Sequence, residues 1–325
     1  MITLGIESTA HTFGAGVCED RTITANERSV YEPEEGGIHP RKASEHHYAN
    51  AKQTIDRALQ EADSDYSDID AVAFARGPGL PQCLQIGGTA ARSIALNHEI
   101  PLVDVNHPVA HIEIGKHTTG AEDPVTLYVS GGNSQILAYA AERYRVFGET
   151  QDIAIGNALD KFARKLGIPH PGGPEVERLA GQSDNLIELP YVVKGMDFSF
   201  SGLVTEVQSR IGDYEKEDLC HSFQEHAFAM LVEATERAMA HLGKDEALLT
   251  GGVAANKRLQ EMLNEMAEAR DAEAFTVPHE YAMDNGAMIA YTGELKYRSG
   301  GTIPPGEAAT LPDWRTDEEE IQWLE

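Results

Sequence analysis

His107 and His111 stand four residues apart in "NHPVAHIEIGK" (106–116). Asn106 or His107 can cap a helix there, and Pro108 suits its first turn, where a missing N–H costs nothing. The spacing puts both imidazoles on one helical face, one turn apart, as a pair of metal ligands requires. In a chain with 13 histidines about half a His-x-x-x-His pair is expected by chance, so spacing alone decides nothing. A zinc protease uses the same spacing but needs a glutamate directly after the first histidine as general base. Pro108 occupies that position, and Glu113 falls elsewhere on the helix. Further ligands would come from distant stretches: Tyr128, at the end of a strand, and Asp284, where the last long helix opens. Each has an ordinary alternative, core packing for Tyr128 and an N-cap for Asp284. Two histidines, an aspartate and a tyrosine, without cysteine, suit iron or zinc and leave room for substrate.

A second chemistry is written in glycines. "VSGGN" (129–133) and "LLTGGVAAN" (248–256) each end a strand with paired glycines. Glycine permits positive φ and close approach of a ligand, and exposed N–H groups in such turns can cradle a phosphate. Either loop alone reads equally as a plain turn; two in matching positions point to binding. Between them, a helix carries Asp160 and Lys161, the stiff loop "HPGGP" (170–174) follows, and a next helix bears Glu177. Carboxylates there can accept hydrogen bonds from ribose hydroxyls, or be ordinary surface charges.

The elements that must position these groups alternate short strands with longer helices, an α/β pattern. "TLGIESTAHTFGAGVCE" from Thr3 and "TLYVSGGNSQILAYAAE" from Thr126 both read as two strands joined by a tight turn. "AVAFARGPGLPQCLQIGGTAARSIAL" and "ALLTGGVAANKRLQEML" both read strand, glycine loop, helix. The ordered pair predicts a duplicated domain with its ligand loops facing a cleft. The expected domains are 1–121 plus 295–325, and 122–294. The final segment reads as a tail laid over the surface and anchored by Trp314 and Trp323.

Bulk properties narrow the class. No apolar run is long enough to span a bilayer, and "MITLGIESTA" has no signal-peptide pattern, so a cytoplasmic protein without a membrane partner is expected. Cys18, Cys83 and Cys220 are too few and too far apart for a disulfide framework or a zinc knuckle. There are 53 acidic residues against 26 basic, a net charge of −27. The acids are spread evenly, in "EPEE", "EADSDYSDID", "DYEKED" and "RTDEEE", as on a surface suited to high salt. This charge gives no generic attraction to nucleic acid.

The chain resembles the tRNA N6-adenosine threonylcarbamoyltransferases, the TsaD/KEOPS catalytic subunits. The matching stretches run in order over nearly the whole length: "LGIESTAHT", "GIHPRKASEHH", "RGPGLPQCLQIGGTAARSIAL", "NHPVAHIEIG", "LYVSGGNSQI", "LDKFARKLG", "DFSFSGL", "SFQEHAFAMLVEATERA", "GGVAANKRL" and "YAMDNGAMIA". His11 and Thr12 replace an acidic pair usual in the bacterial branch, which points to the archaeal and eukaryotic branch and, with the charge, to a haloarchaeon. The resemblance implies an actin-like, sugar-kinase-like fold (ASKHA) of two ribonuclease-H-type domains around a central cleft. It implies one divalent metal ion, iron ahead of zinc, on His107, His111, Tyr128 and Asp284. It implies a nucleotide, ATP or threonylcarbamoyl-AMP, at Tyr128, Val129, Ser130, Gly131, Gly132, Asp160, Gly173, Glu177 and Asn256. The implied reaction moves a threonylcarbamoyl group from its mixed anhydride with AMP to N6 of the adenosine just 3′ of the anticodon, in tRNAs that read codons beginning with A. No general base is identified; His11 and His39 are the candidates. The implied partners are tRNA and the KEOPS subunits, a small protein kinase-like ATPase and accessory, dimerising proteins. Arg76, Lys161, Arg164 and Lys165 are too few for a strong basic groove, so partner subunits or local patches must supply phosphate contacts.

Two other readings share the fold: an ATPase or small-molecule kinase, and a non-catalytic nucleotide-binding scaffold. The charge carries its own expectation. If self-repulsion of the acidic surface limits stability, thermal unfolding moves up as salt rises toward about 1 M, where the screening length falls to roughly 3 Å. An equal melting temperature in dilute buffer removes the high-salt reading.

Overall fold

The computed structural model describes residues 1–33 and 37–324; Glu34 and Glu35 of the acidic run "EPEE" lie outside the described residues. The chain opens with β1 (Ile2–Glu7), β2 (Thr12–Glu19), β3 (Thr22–Val30), α1 (Pro40–Glu61), β4 (Ala71–Gly77), α2 (Pro81–His98), β5 (Leu102–Asn106) and α3 (His107–Thr119). It continues through β6 (Val125–Val129), β7 (Ser134–Tyr139), β8 (Tyr144–Glu149), α4 (Ile155–Lys165), α5 (Gly173–Ala180), the short β9 (Val193–Lys194) and β10 (Asp197–Phe198), α6 (Ser201–Ser209) and α7 (Lys216–Leu242). It closes with β11 (Glu246–Thr250), a 3₁₀ turn (Gly252–Ala255), α8 (Lys257–Ala269), β12 (Glu273–Thr276), α9 (His279–Ala282) and α10 (Gly286–Arg298).

Two units result: Met1–His117, Ala140–Tyr144 and Met283–Glu325; and Thr118–Tyr139 with Arg145–Ala282. In the first, the sheet order is β3-β2-β1-β4-β5. β1 pairs antiparallel with β2 and parallel with β4, and β4 runs parallel to β5. Parallel neighbours need crossovers, which α1 and α2 provide. In the second, the order is β8-β7-β6-β11-β12, the same plan, with β6 antiparallel to β7 and parallel to β11. The expected duplication is therefore present, and the fold is α/β of the actin-like, two-domain kind. Among the described residues, no helix is long and apolar enough to cross a membrane.

Strand alternation decides what the first sheet presents on each face. Leu4, Ile6, Phe13, Ala15 and Val17 join Ile55, Leu59 and Ala91 in one apolar core with α1 and α2. The opposite face carries Gly5, Gly14 and Gly16, and α10 lies directly on them. A Cβ on Gly16 would stand 2.3 Å from Ala287 N, and one on Gly5 would stand 2.1 Å from Ala290 N. Glu7, two residues beyond Gly5, shares that face. The intimacy also places the domain return. The sequence puts it at 295; in the structure the chain returns at Met283, because α10 packs on β1, β2 and β4 of the first sheet.

The tail is fastened as expected. Leu311 N donates to Arg76 O at 2.8 Å, and Trp314 lies under the Arg76 guanidinium and the Lys296 ammonium at 5.9 and 5.7 Å. In the second unit, the 27-residue α7 forms the core's spine, with Phe223 against Phe162 of α4 at 5.0 Å between ring centres.

Backbone atoms at these distances cannot move aside as a side chain would. Gly16→Ala is expected to destabilise the full chain by about 3 kcal/mol, the upper range for overpacking. A thermal melt unchanged from that of the native sequence would contradict the direct seating of α10 on the sheet.

Candidate functional site

The start of α3 follows from its capping. Asn106 Oδ1 accepts a hydrogen bond from Val109 N at 3.4 Å, and Pro108 occupies the first turn. His107 and His111 then project together, with ring centres 4.7 Å apart and planes at 83°. Both are buried. At the head of α10 the capping role belongs to Asn285, whose Oδ1 accepts from Met288 N at 2.8 Å. The N-cap alternative for Asp284 is thereby corrected, and its carboxylate turns to the imidazoles. Asp284 Oδ1 lies 3.3 Å from His111 Nε2 and 3.4 Å from His107 Nε2. One ligand atom from each of the three residues falls within 4.8 Å of the others. All three belong to the first unit.

Glu7 completes the arrangement and was not among the expected site residues. Its Oε2 lies 2.9 Å from His107 Nδ1, and its Oε1 accepts from Thr9 N and Thr9 Oγ1. The carboxylate is fully buried. The Glu7 carboxylate at Nδ1 orients the ring with Nε2 toward Asp284, the supporting contact that metal-binding histidines ordinarily have. The signal in the sequence is an acid closing a strand that is otherwise apolar and glycine-bearing. Glu113 points away, as expected: its Oε1 accepts from Tyr144 OH at 2.7 Å and from Trp323 Nε1 at 3.0 Å, tying α3 to the tail.

Burial pushes the His111 imidazole below its usual value, and its hydrogen bond to Asp284 only partly opposes this. Burial would raise Asp284, but the charges and hydrogen bonds of His107 and His111 outweigh it and hold the carboxyl well below the usual range. Neutral imidazole and ionised carboxylate are the ligating forms. Two imidazole nitrogens and one carboxylate, with positions left open, fit a divalent cation such as iron or zinc.

The nucleotide candidates all lie in the second unit. Tyr128 and Val129 are buried in β6; Ser130, Gly131 and Gly132 form the turn to β7, where Ser130 N donates to Asn133 O at 2.8 Å. Gly131 and Gly132 have nothing within 4 Å of a would-be Cβ, so packing does not require them to be glycine. Gly251 differs: it has φ +95° and passes so close to Val129 that a Cβ would stand 2.3 Å from Val129 O. That contact seats the second glycine loop against the first.

Asp160 Oδ1 accepts from Gly172 N at 2.7 Å, and Oδ2 lies 2.9 Å from His170 Nδ1, so α4 fastens the "HPGGP" loop. Gly173 opens α5, and Glu177 on that helix accepts from Lys257 N at 2.8 Å. Asn256 caps α8 through Leu259 N at 3.2 Å and donates to Gln224 at 2.9 Å. Asp160, Gly173, Glu177 and Asn256 thus belong to one hydrogen-bonded path through α4, α5 and the head of α8. Tyr128, expected as a metal ligand too, is buried near the end of β6 in the second unit. His11 sits at the β1–β2 turn, and His39 is exposed at the head of α1.

A family model described as "TsaD: tRNA N6-adenosine threonylcarbamoyltransferase" matches residues 21–291. The chain belongs to the TsaD family. It is 53% identical over 324 residues to the tRNA N6-adenosine threonylcarbamoyltransferase of Methanococcoides burtonii, covering 99% of this chain and 97% of that one. The protein of the same name from Thermococcus kodakarensis is 53% identical over 325 residues, covering 99% and 100%. A "probable bifunctional tRNA threonylcarbamoyladenosine biosynthesis protein" of Methanosarcina acetivorans is 52% identical over 99% of this chain but 59% of that protein. Among solved structures, Thermococcus kodakarensis HypF aligns with TM-score 0.68 at 15% identity, over 92% of this chain and 48% of that one. The activator of a 2-hydroxyisocaproyl-CoA dehydratase from Clostridium difficile aligns with TM-score 0.57 at 12% identity, over 92% and 97%. These two support the fold alone. Membership in the TsaD family makes the chain an acyltransferase.

His111→Ala or Asp284→Ala in this TsaD-family chain is expected to reduce bound metal from one ion per chain to a small fraction, by elemental analysis. For the native sequence, metal is retained at neutral pH and lost as pH falls below the ordinary imidazole value of about 6.5, because protons then compete for Nε2. Burial lowers the His111 value, so release comes on the acid side of that point. Metal content insensitive to both substitutions and to acid would contradict the assignment.

Proposed function

We propose that this chain transfers the threonylcarbamoyl group of threonylcarbamoyl-AMP to N6 of the adenosine just 3′ of the anticodon, in tRNAs that read codons beginning with A. Family membership and the donor set of buried His107 and His111 with partly exposed Asp284, braced by Glu7, support this reading. The donor set is the observation that carries it.

A divalent cation there, iron ahead of zinc, would supply Lewis acidity toward the donor's oxygens. The chain's own residues do the rest. Glu7 keeps His107 oriented, and Glu113, through Tyr144 and Trp323, holds the helix that bears both histidines. In the second unit, Tyr128, Val129, Ser130, Gly131 and Gly132 receive the phosphate end of the nucleotide, whose leaving charge is met by backbone N–H groups. Asp160 and Glu177 each keep lone pairs beyond those already used and offer them to ribose hydroxyls. Gly173 admits the sugar closely, and Asn256 fixes the head of α8 beside it. His11 and His39 are the proposed proton acceptors for the attacking amine. ATP is the alternative occupant of the nucleotide site.

The reading includes a cytoplasmic KEOPS assembly with a small protein kinase-like ATPase and accessory subunits. The relative described as bifunctional, of which this chain spans 59%, supports the involvement of a second protein function in the same biosynthesis.

Purified chain given tRNA and threonylcarbamoyl-AMP is expected to yield threonylcarbamoyladenosine on nucleoside analysis. Asn256→Ala should lower kcat/KM for the donor at least about tenfold, a loss of roughly 1.4 kcal/mol. No modified adenosine, even with partner subunits added, would reject the transferase reading and leave the ATPase or kinase.

A further inference from the structure

With a net charge of −27, this chain repels a polyanion at long range. An RNA backbone can settle only where cations stand together without counter-charge. Four cations are singled out in the sequence, and the structure separates them. Arg76 is unavailable: its guanidinium bonds Asp104 at 2.8 Å and the tail carbonyls of Ala309 and Glu307. Lys161, Arg164 and Lys165 are exposed on α4, at positions i, i+3 and i+4, and share one face.

The elements packed most closely against α4 are α5, α6 and the 3₁₀ turn. None of their acids forms an ion pair with Lys161, Arg164 or Lys165 among the described residues. Glu175 pairs with Arg178 at 2.6 Å, Glu177 accepts from Lys257 N, and Glu206 pairs with Arg210 at 2.7 Å. Asp160, the acid of α4 itself, is held by Gly172 N and His170. Among the described residues, no ion pair involves Lys161, Arg164 or Lys165. Some exposed cations on other helices have partners, Arg41 with Glu45, Lys52 with Asp56 and Arg237 with Glu233, while Lys42, Lys216 and Lys257 stand singly without an ion pair among the described residues; on α4 three such cations share one face. Arg164 and Lys165 also lie in the last turn of α4, where basic residues favour the helix dipole by about 0.3–1 kcal/mol. That accounts for two of the three at most, and not for Lys161 in the helix body.

We propose that Lys161, Arg164 and Lys165 form a contact surface for the phosphodiester backbone of the RNA substrate. The proposal rests on the transferase reading above and adds where the RNA is held. The acids spread over the rest of the surface do not forbid the approach: at physiological salt the screening length is about 8 Å, so the nearest charges dominate. The same helix carries Asp160, which fastens the "HPGGP" loop, so RNA on this face lies along the element that braces the proposed nucleotide site.

Equilibrium binding of a tRNA transcript to the full chain, across about 50–300 mM salt, tests this. Each phosphate contact contributes roughly 0.7–0.9 to the slope of log affinity against log salt. The triple variant K161Q/R164Q/K165Q is expected to bind at least about tenfold more weakly at low salt, with a slope smaller by about 2. The charge-keeping variant K161R/R164K/K165R should retain the native slope. An unchanged slope in the glutamine variant, weaker binding at unchanged slope, or no tRNA binding by the native chain would each overturn the proposal. The transfer assay on the native chain separates the two ideas. Modification with an unchanged glutamine-variant slope removes the surface and keeps the transferase. A changed slope without modification keeps the RNA contact and removes the transferase.

Discussion

The contact between Glu7 and His107 is the constraint on which the first unit depends. A carboxylate buried without partners costs several kcal/mol, so Glu7 persists at the end of β1 only because Thr9 and His107 satisfy it. The contact fixes which imidazole nitrogen faces Asp284. It also demands that three separate stretches arrive together: the end of β1, the head of α3 and the head of α10. The glycines of β1 and β2 follow from that demand. Only a face stripped of Cβ atoms lets α10 lie close enough to the sheet for Asp284 to reach the imidazoles.

The ends of α3 are secured just as firmly, by different means. Asn106 caps its head and donates to Arg315 O of the tail at 3.3 Å, while Glu113 takes Tyr144 and Trp323 further along. The tail therefore belongs to the working structure. It joins Arg76, Asp104, Lys296 and Glu319 into a partly buried chain of paired charges beside Trp314. Burial raises Glu319, and the Lys296 ammonium beside it only partly opposes that rise. Such a network is brittle, because removing one partner strands the others.

Much of this is legible in the sequence, for physical reasons. The two strand-turn-strand echoes and two strand-loop-helix echoes predict a repeated sheet order, since period-2 strands and paired glycines are local signals. The spacing of His107 and His111 predicts their shared face once Asn106 and Pro108 start the helix. What is not legible is set by long-range packing. Asp284 and Asn285 are adjacent and both are good caps; which one caps α10 depends on where the imidazoles lie. Glu7 reads as a strand end until His107 is placed beside it. Arg76 reads as a free cation until the tail closes over it. The return of the chain at Met283 rather than 295 depends on a helix choosing between two similar sheets, and only the glycine face of the first resolves it.

The proposed divalent cation sits on His107, His111 and Asp284, with Glu7 behind His107. The most direct measurement is an anomalous-difference map at the metal absorption edge, from crystals of the metal-loaded full chain. A single strong peak is expected about 2.0–2.2 Å from both Nε2 atoms and from an Asp284 oxygen, with Glu7 still on Nδ1 of His107. A peak elsewhere, or one bound to the imidazoles with Asp284 turned away, would contradict it.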